Sequence, residues 1–461
     1  MMNQTKRLLS LLLLLISTAA GAQQTYELTV KEAVELAYKN VIEIKNAEID
    51  YRIQEAQNKE IFGRALPQVS ANIGVQHYLK VPAILFPNAQ DASIYGVLLK
   101  EGLLPNGTQV PAVTFQEVSF QQPWNLGAGA TVQQLLFQPD VFVGLQARKT
   151  ALNLSSALIE QTKDRVKDSA YRRYYAILIA EKQLGFIDSS ILRLQKLYRD
   201  DSIMYKNGFA ERLDLDRVQV QLNNLQSTRN FVATGVSLSY AALKFAIGIS
   251  QKDSVRLKEE LTAETLKEGI LDNSFSYENR PEIRTLQVSR ELQLLDVKRN
   301  KLGYLPTAAL SGNYTRNAMG KNFFTDKNTF WFSSAFIGLN VSVPIFDGFQ
   351  RKYKTQQAQL RVERLDNTIA FAKQAIDFQQ KASSESLSSA LMNLDTQERN
   401  LQLALRVYNT TKLKFEQGLG SSFEVLQSDA DYQQAQSNYF NALYNATVAR
   451  IGYQSALGKL Q

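Results

Sequence analysis

Few residues of this chain are equipped for chemistry. It has no cysteine and a single histidine, His77. Disulfides, thiolate metal sites and a cysteine nucleophile are excluded, and histidine metal clusters and Ser-His triads lack raw material. His77 reads as a lone strand residue rather than a ligand. The stretch GAGAT, Gly127–Thr131, is not G-x-G-x-x-G and opens no helix, so it offers no phosphate cradle. No enzyme and no cofactor is expected. The chemistry that remains is conformational. In LNVSVPIFDG, Leu339–Gly348, an alternating strand is stopped by Pro344, which cannot donate to a sheet ladder. Asp347 and Gly348 can then turn the chain. In the first half, LLFQPDVF (Leu135–Phe142) places Pro139 at a similar step. Pro139, Pro344, Asp347 and Gly348 are the expected strand–helix junctions, so strands must precede them and helices follow.

The strands alternate. Val69, Ala71, Ile73 and Val75 oppose Ser70, Asn72, Gly74 and Gln76; Leu126, Ala128, Ala130 and Val132 oppose Gly127, Gly129 and Thr131. Thr307–Tyr314 is less regular, and in Phe336–Ile345 the residues Ile337, Leu339, Val341, Val343 and Ile345 share a face. Period-two alternation marks a sheet between two media. Aromatics at the strand ends suit a membrane barrel, but a soluble sheet alternates equally well; the N-terminal signal peptide and the small polar face tilt the reading toward a barrel. Four strands cannot close a barrel, and two chains would give eight strands with a filled interior. Three chains give twelve strands and room for water, so a pore predicts at least a trimer.

The helices are long. Phe349–Glu416 is a run of 68 residues without proline, roughly 100 Å if continuous at ~1.5 Å per residue. Asp140–Tyr205 is its counterpart. Leu365, Ile369, Ala372, Ile376, Leu387, Leu391, Leu394, Leu401, Leu405 and Tyr408 trace one heptad-like seam. Phe423, Leu426, Ala430, Gln433, Ser437, Phe440 and Tyr444 trace its partner, as antiparallel hairpins require. The seams are diluted by Ser, Gln and Ala, which suits a one-layer wall wetted on both sides; an ordinary dimeric coiled coil is the plainer alternative. Thr29 and Glu32 form a capping box that predicts a helix from Val30 to about Ala65.

The chain repeats itself. Asn40–Pro67 aligns with Asn279–Pro306 at an offset of 239, matching Asn40/Asn279, Ile44/Ile283 and Pro67/Pro306. Asn207–Leu215 aligns with Gln417–Val425 at an offset of 210, with Gly208/Gly418 and, further on, Ala246/Ala456 and Gly248/Gly458. We expect two structural repeats, 23–250 and 279–461, separated by a mixed equatorial segment, 251–278. The first repeat carries about 30 extra residues within Lys80–Gln122, which reads as a long loop with little regular structure.

Lys6 and Arg7, the apolar run Leu8–Ile16 and Ala20-Gly21-Ala22 form a signal peptide, residues 1–22. Its removal takes the formal charge from +8 to +6, since two basic residues leave. The remaining basic residues are scattered, which argues against a nucleic-acid partner.

This order of elements resembles the TolC family of outer-membrane efflux proteins. The resemblance rests on LTVKEAVELAYKN, the two LP entries to strands, VPIFDGFQR and FEQGLGSSFEVLQSDADYQQAQSNYFNALYNATVARIGYQSALG. It implies an α+β membrane protein: a homotrimer with a 12-stranded β-barrel, four strands per chain, continued by a long α-helical barrel of coiled-coil hairpins. It implies an exit duct of a tripartite efflux or type I secretion system in a Gram-negative outer membrane, reaching into the periplasm, with outer-membrane lipid, a periplasmic adaptor and an inner-membrane pump as partners. With no cysteine, no lipid anchor is expected. The adaptor-binding tips would be Gly208 with Phe209, and Gly418 with Leu419 and Gly420. Asp214 and Glu424 would line the periplasmic aperture; Gln427 and Gly420 stand where some members carry an acidic and a basic residue. A periplasmic coiled-coil adaptor or scaffold without a barrel is the alternative.

Overall fold

The computed structural model describes residues 25–262, 264, 266, 275–322 and 329–460. The expected signal peptide, 1–22, and part of the expected mixed segment 251–278 lie outside the described residues. The chain divides into two units: Met1–Glu55 with Lys149–Leu294 and Gln359–Gln461, and Ala56–Arg148 with Leu295–Ala358.

In the first half of the chain, β1 (Thr25–Leu28), α1 (Val30–Asn40) and α2 (Ile42–Gly63) lead into β2 (Gln68–His77). Then come β3 (Ile84–Asn88), α3 (Gln90–Lys100), β4 (Thr114–Val118) and β5 (Trp124–Phe137). The pair α4 (Pro139–Lys206) and α5 (Arg212–Ala246) closes this half. After β6 (Ser254–Leu257) the second half runs α6 (Pro281–Leu302), β7 (Thr307–Gly320), β8 (Phe330–Ser342), α7 (Gln350–Glu416) and α8 (Ser422–Ala456).

The strand unit contains an antiparallel sheet in the order β2-β5-β7-β8. Its register holds one face apolar across all four strands: Ile73 opposes Ala128, Val132 opposes Gly312, and Leu310 opposes Leu339. The other face is polar, and its groups pair across strands. Asn313 donates to Thr131 Oγ1 at 2.9 Å, and the Thr315 and Ser334 hydroxyls lie 2.7 Å apart. The GAGAT glycines have a packing reason: a Cβ on Gly129 would lie 2.4 Å from Thr315 Cγ2, and one on Gly127 3.0 Å from Asn317 Oδ1. Arg316 falls on the apolar face near its end, with its guanidinium 5.0 Å from the Trp331 ring centroid. There the aliphatic stem can cover apolar surface while the charge rests on an aromatic face.

The helical unit is held by clusters of buried side chains. One gathers Val30, Ala33, Val34 and Ala37 of α1 with Tyr174 and Ile177 of α4, Leu243 of α5 and Phe440 and Leu443 of α8. The capping box forms: Thr29 N donates to Glu32 Oε2 at 2.7 Å, and Glu32 N to Thr29 Oγ1 at 3.3 Å. β1 pairs in parallel with β6, which ties residues 254–257 to the segment just before α1.

Several sequence expectations need correction. The helix predicted from Val30 to Ala65 breaks at Val41, which is extended (φ −65°, ψ 127°). The break seats the backbone of Asn40 against Gly248, whose added Cβ would lie 2.8 Å from Asn40 C. A pattern of apolar residues cannot report such a backbone contact. Lys80–Gln122 is not a structureless loop. It holds the hairpin β3–β4 and helix α3. Pro87 disguised β3, but a two-stranded ribbon has an outer edge where no donor is needed. β8 stops at Ser342, so Val343 and Ile345 are outside the strand; a residue before proline is also restricted.

Apart from Phe440, which is buried as predicted, the α8 seam is shifted by one position. Val425, Asp429, Tyr432, Gln436 and Leu443 are buried, whereas the predicted Phe423 and Tyr444 are exposed, as is Leu405 of α7. The buried line contains Ser422, Asp429 and Gln436, so the apolar period alone pointed to the adjoining face. In α7 the seam runs through Ile376, Leu387, Leu394 and Tyr408, all buried.

Candidate functional site

Both hairpin turns lie in the helical unit, and they are built alike. Gly208 (φ +80°) and Gly418 (φ +74°) end α4 and α7 in the left-handed region. Phe209 N donates to Met204 O at 2.8 Å, and Leu419 N to Lys414 O at 2.9 Å. These bonds satisfy carbonyls that a helix end leaves orphaned, the Schellman arrangement that favours glycine. Nothing lies within 4 Å of where a Cβ would stand on either glycine. The turns therefore present bare backbone flanked by apolar side chains: Phe209 is 79% and Leu419 76% exposed. Gly420 differs, since its Cβ would lie 3.2 Å from Glu424 Oε2.

Asp214 and Glu424 occupy the first turns of α5 and α8, where carboxylates are favoured by the helix dipole. Asp214 Oδ1 lies 3.5 Å from Arg217 Nη1, and the Arg217 guanidinium sits 5.0 Å from the Phe423 ring centroid. One arginine thus links the start of α5 to the start of α8. The caps differ: Ser421 Oγ accepts from Glu424 N at 3.2 Å, while Glu211 makes no side-chain cap bond.

Behind the turns lies a polar core that the apolar pattern did not reveal. Asp201 is wholly buried; its Oδ2 accepts a hydrogen bond from the Ser422 hydroxyl, and its Oδ1 has no partner among the described residues. Burial pushes the Asp201 carboxyl above its ordinary range; the Ser422 bond opposes this, while Asp214 and Asp200 add to it. Further along, Arg193 Nε donates to Asp429 Oδ1 at 2.9 Å and its Nη2 to Ser190 Oγ at 2.7 Å. The same guanidinium sits 5.4 Å and 5.0 Å from the ring centroids of Tyr408 and Tyr432. Three helices meet at this one charge. The available sequence signal was the spacing of Asp429 between Val425 and Tyr432, a charged residue at seam positions.

The strand–helix junctions lie in the strand unit, and the structure gives each its own form. Pro139 is the first residue of α4, where a missing N–H costs nothing. Pro344 lies in the connection between β8 and α7. There Asp347 Oδ2 accepts from Arg351 N at 3.1 Å, and Gly348 (φ +63°) and Phe349 (φ +66°) are left-handed in succession. Phe349, a strained position for a non-glycine residue, went unmarked in the sequence. Among the described residues no helix is long and apolar enough to cross a membrane, and no acidic or histidine group could hold a metal ion.

The chain thus combines a four-stranded sheet with one apolar face and two pairs of long helices. Residues 276–459 match the family model described as outer membrane efflux protein. The chain is 18% identical over 340 residues to the outer membrane protein TolC of Vibrio cholerae, covering 73% of this chain and 77% of that one. It is 19% identical to the alkaline protease secretion protein AprF of Pseudomonas aeruginosa, covering 72% and 68%. The fold is similar to that of the CmeC outer membrane channel of Campylobacter jejuni, with a TM-score of 0.71, 15% identity and coverage of 93% and 85%. By these matches the chain is similar to TolC-type outer-membrane efflux proteins, over its C-terminal part in the family model and over most of its length in the relatives and the fold.

Proposed function

We propose that three copies of this chain form a passive exit duct in a Gram-negative outer membrane, one component of a tripartite efflux or type I secretion system. One observation carries the reading. The sheet β2-β5-β7-β8 has an apolar and a polar face, yet its outer strands β2 and β8 each leave an edge without a partner among the described residues. Open edges are not tolerated in hydrocarbon, so the sheet must close on other copies. Three copies give twelve strands with a wettable interior. The two repeats, 23–250 and 279–461, each supply two strands and one hairpin, and the hairpins continue the barrel as a helical tunnel through the periplasm.

In this reading Gly208, Phe209, Gly418, Leu419 and Gly420 receive the periplasmic adaptor, which couples the duct to an inner-membrane pump. Bare backbone beside exposed apolar side chains suits an approaching helical hairpin. Asp214 and Glu424 ring the aperture, where threefold symmetry gathers like charges and favours cations. The alternative of an adaptor or scaffold without a barrel is not favoured, because a soluble scaffold has no use for Ile73, Ile337 and Leu339 exposed along one face. Cell fractionation with gel filtration in detergent tests the reading. The expected result is an outer-membrane species of three chain masses that conducts ions in a planar bilayer. A soluble monomer would overturn it.

A further inference from the structure

The segment 79–122 leaves the end of β2 at His77, the opposite end from the helices, and returns at Trp124. It is ordered but covers itself poorly. Helix α3 has 11 residues, none buried, and its N-cap, Ala89, makes no side-chain bond. Ile94 and Val97 share its exposed apolar face. In the ribbon β3–β4, Ile84 opposes Val118 on one face and Pro87 opposes Phe115 on the other. Ile84, Leu85 and Phe115 are all exposed. An isolated helix of this length and an isolated two-stranded hairpin are each marginal in water. Some apolar surface must cover them.

We propose that the cover is the same segment of neighbouring copies, so that the inserts pack on one another at the outer end of the barrel. This rests on the trimeric duct proposed above. Three observations favour a second copy. The insert springs from β2, an edge strand, so whatever closes that edge stands beside it. Each assembled duct would hold three inserts at one end, at an effective concentration on the order of millimolar. The insert also suits no charged surface. Between residues 79 and 122 only Lys80, Asp91, Lys100, Glu101 and Glu117 are charged, and α3 offers one lysine and one aspartate. An interfacial helix that lies on lipid is typically rich in Lys and Arg.

The test is photo-crosslinking in the full-length protein, in outer membranes, with p-benzoylphenylalanine replacing Val97 or, separately, Phe115. Gel filtration of each variant beside the wild type reports assembly independently. The expected result is a trimer that yields a covalent product of two chain masses, with the crosslinked peptide drawn from residues 79–122 of the second copy. A trimer that yields no such product from either position overturns the inference while leaving the duct intact, as does an adduct to lipid or to a different protein. If the wild type is itself a monomer, the duct reading fails and the inference fails with it.

Discussion

The Ser422 hydroxyl donates to Oδ2 of the buried Asp201, joining the first turn of α8 to the last two turns of α4. The two hairpins of the chain are thus tied just behind their turns by an acid whose carboxyl is pushed up by burial. The stabilisation from a group with a raised folded value is whole below the ordinary carboxylate value of 3.8 and is lost as pH rises through the folded value. At neutral pH the charge is a burden. D201N keeps an acceptor for Ser422 and removes the charge, so it should gain on the order of 1 kcal/mol at pH 7.5. That gain should shrink toward zero in acid. Thermal melts of both proteins between pH 3.5 and 8 check this, and a difference that does not vary with pH would refute it.

Arg193 and Asp429 should matter more than any surface pair. Asp429 is 1% exposed and Arg193 rests on two tyrosine rings. D429A leaves Arg193, whose side chain is only 22% exposed, without its carboxylate, so it should cost about 2–3 kcal/mol, somewhat below the loss expected when a fully buried pair is broken. D188A is the control: Asp188 pairs with Arg229 at 2.5 Å, but both side chains are more than 40% exposed, and its loss should cost about 0–1 kcal/mol. Protease susceptibility of the purified channel separates the two. Equal effects would mean that Arg193 is well solvated after D429A.

These two pairs also mark where the sequence stopped being informative. The strand faces were legible because lipid-type and water-type residues alternate, as at Ile73 and Asn72. The long helices were legible because α4 and α7 contain no internal proline. The α8 seam was displaced by one residue because its true line holds Ser422, Asp429 and Gln436. Their polarity is matched by Asp201, Arg193 and Ser190, residues more than 200 positions away. Pattern reading weighs each residue against its local neighbours, so a polar residue satisfied at long range reads as surface. Phe349 escaped for a related reason: a left-handed φ in a non-glycine residue has no compositional signature.

The matched glycines should separate folding from docking. Gly248 packs on Asn40, and Gly458 on Asn279, each with a left-handed φ and only 2.8 Å for a Cβ. The same contact recurs in both halves, between residues that the repeat alignment paired. G248A and G458A should each cost about 2–4 kcal/mol, through backbone strain and overpacking. Gly208 and Gly418 have open space, so G208A and G418A should cost only about 1 kcal/mol and leave assembly intact. If these glycines admit an adaptor backbone, export in cells should nevertheless fall for the second pair. Unchanged export with G208A and G418A together would remove them from the docking surface.

The aperture assignment makes an electrical prediction. Glu424 is exposed, and it is its backbone N–H that donates to Ser421 Oγ, so E424Q preserves the cap. D214N likewise keeps the shape of the first turn of α5. The double variant should therefore fold and assemble as the wild type does, while its cation preference in a planar bilayer drops. The drop should be largest in dilute salt and fade in 1 M salt, where the Debye length is about 3 Å rather than about 10 Å at 0.1 M. R217Q supplies the opposite sign. It frees Asp214 from a cation 3.5 Å away, so cation preference should rise if Asp214 faces the conducting path. Conductance and selectivity indifferent to all three changes would place both carboxylates away from the aperture, as ordinary first-turn residues of their helices.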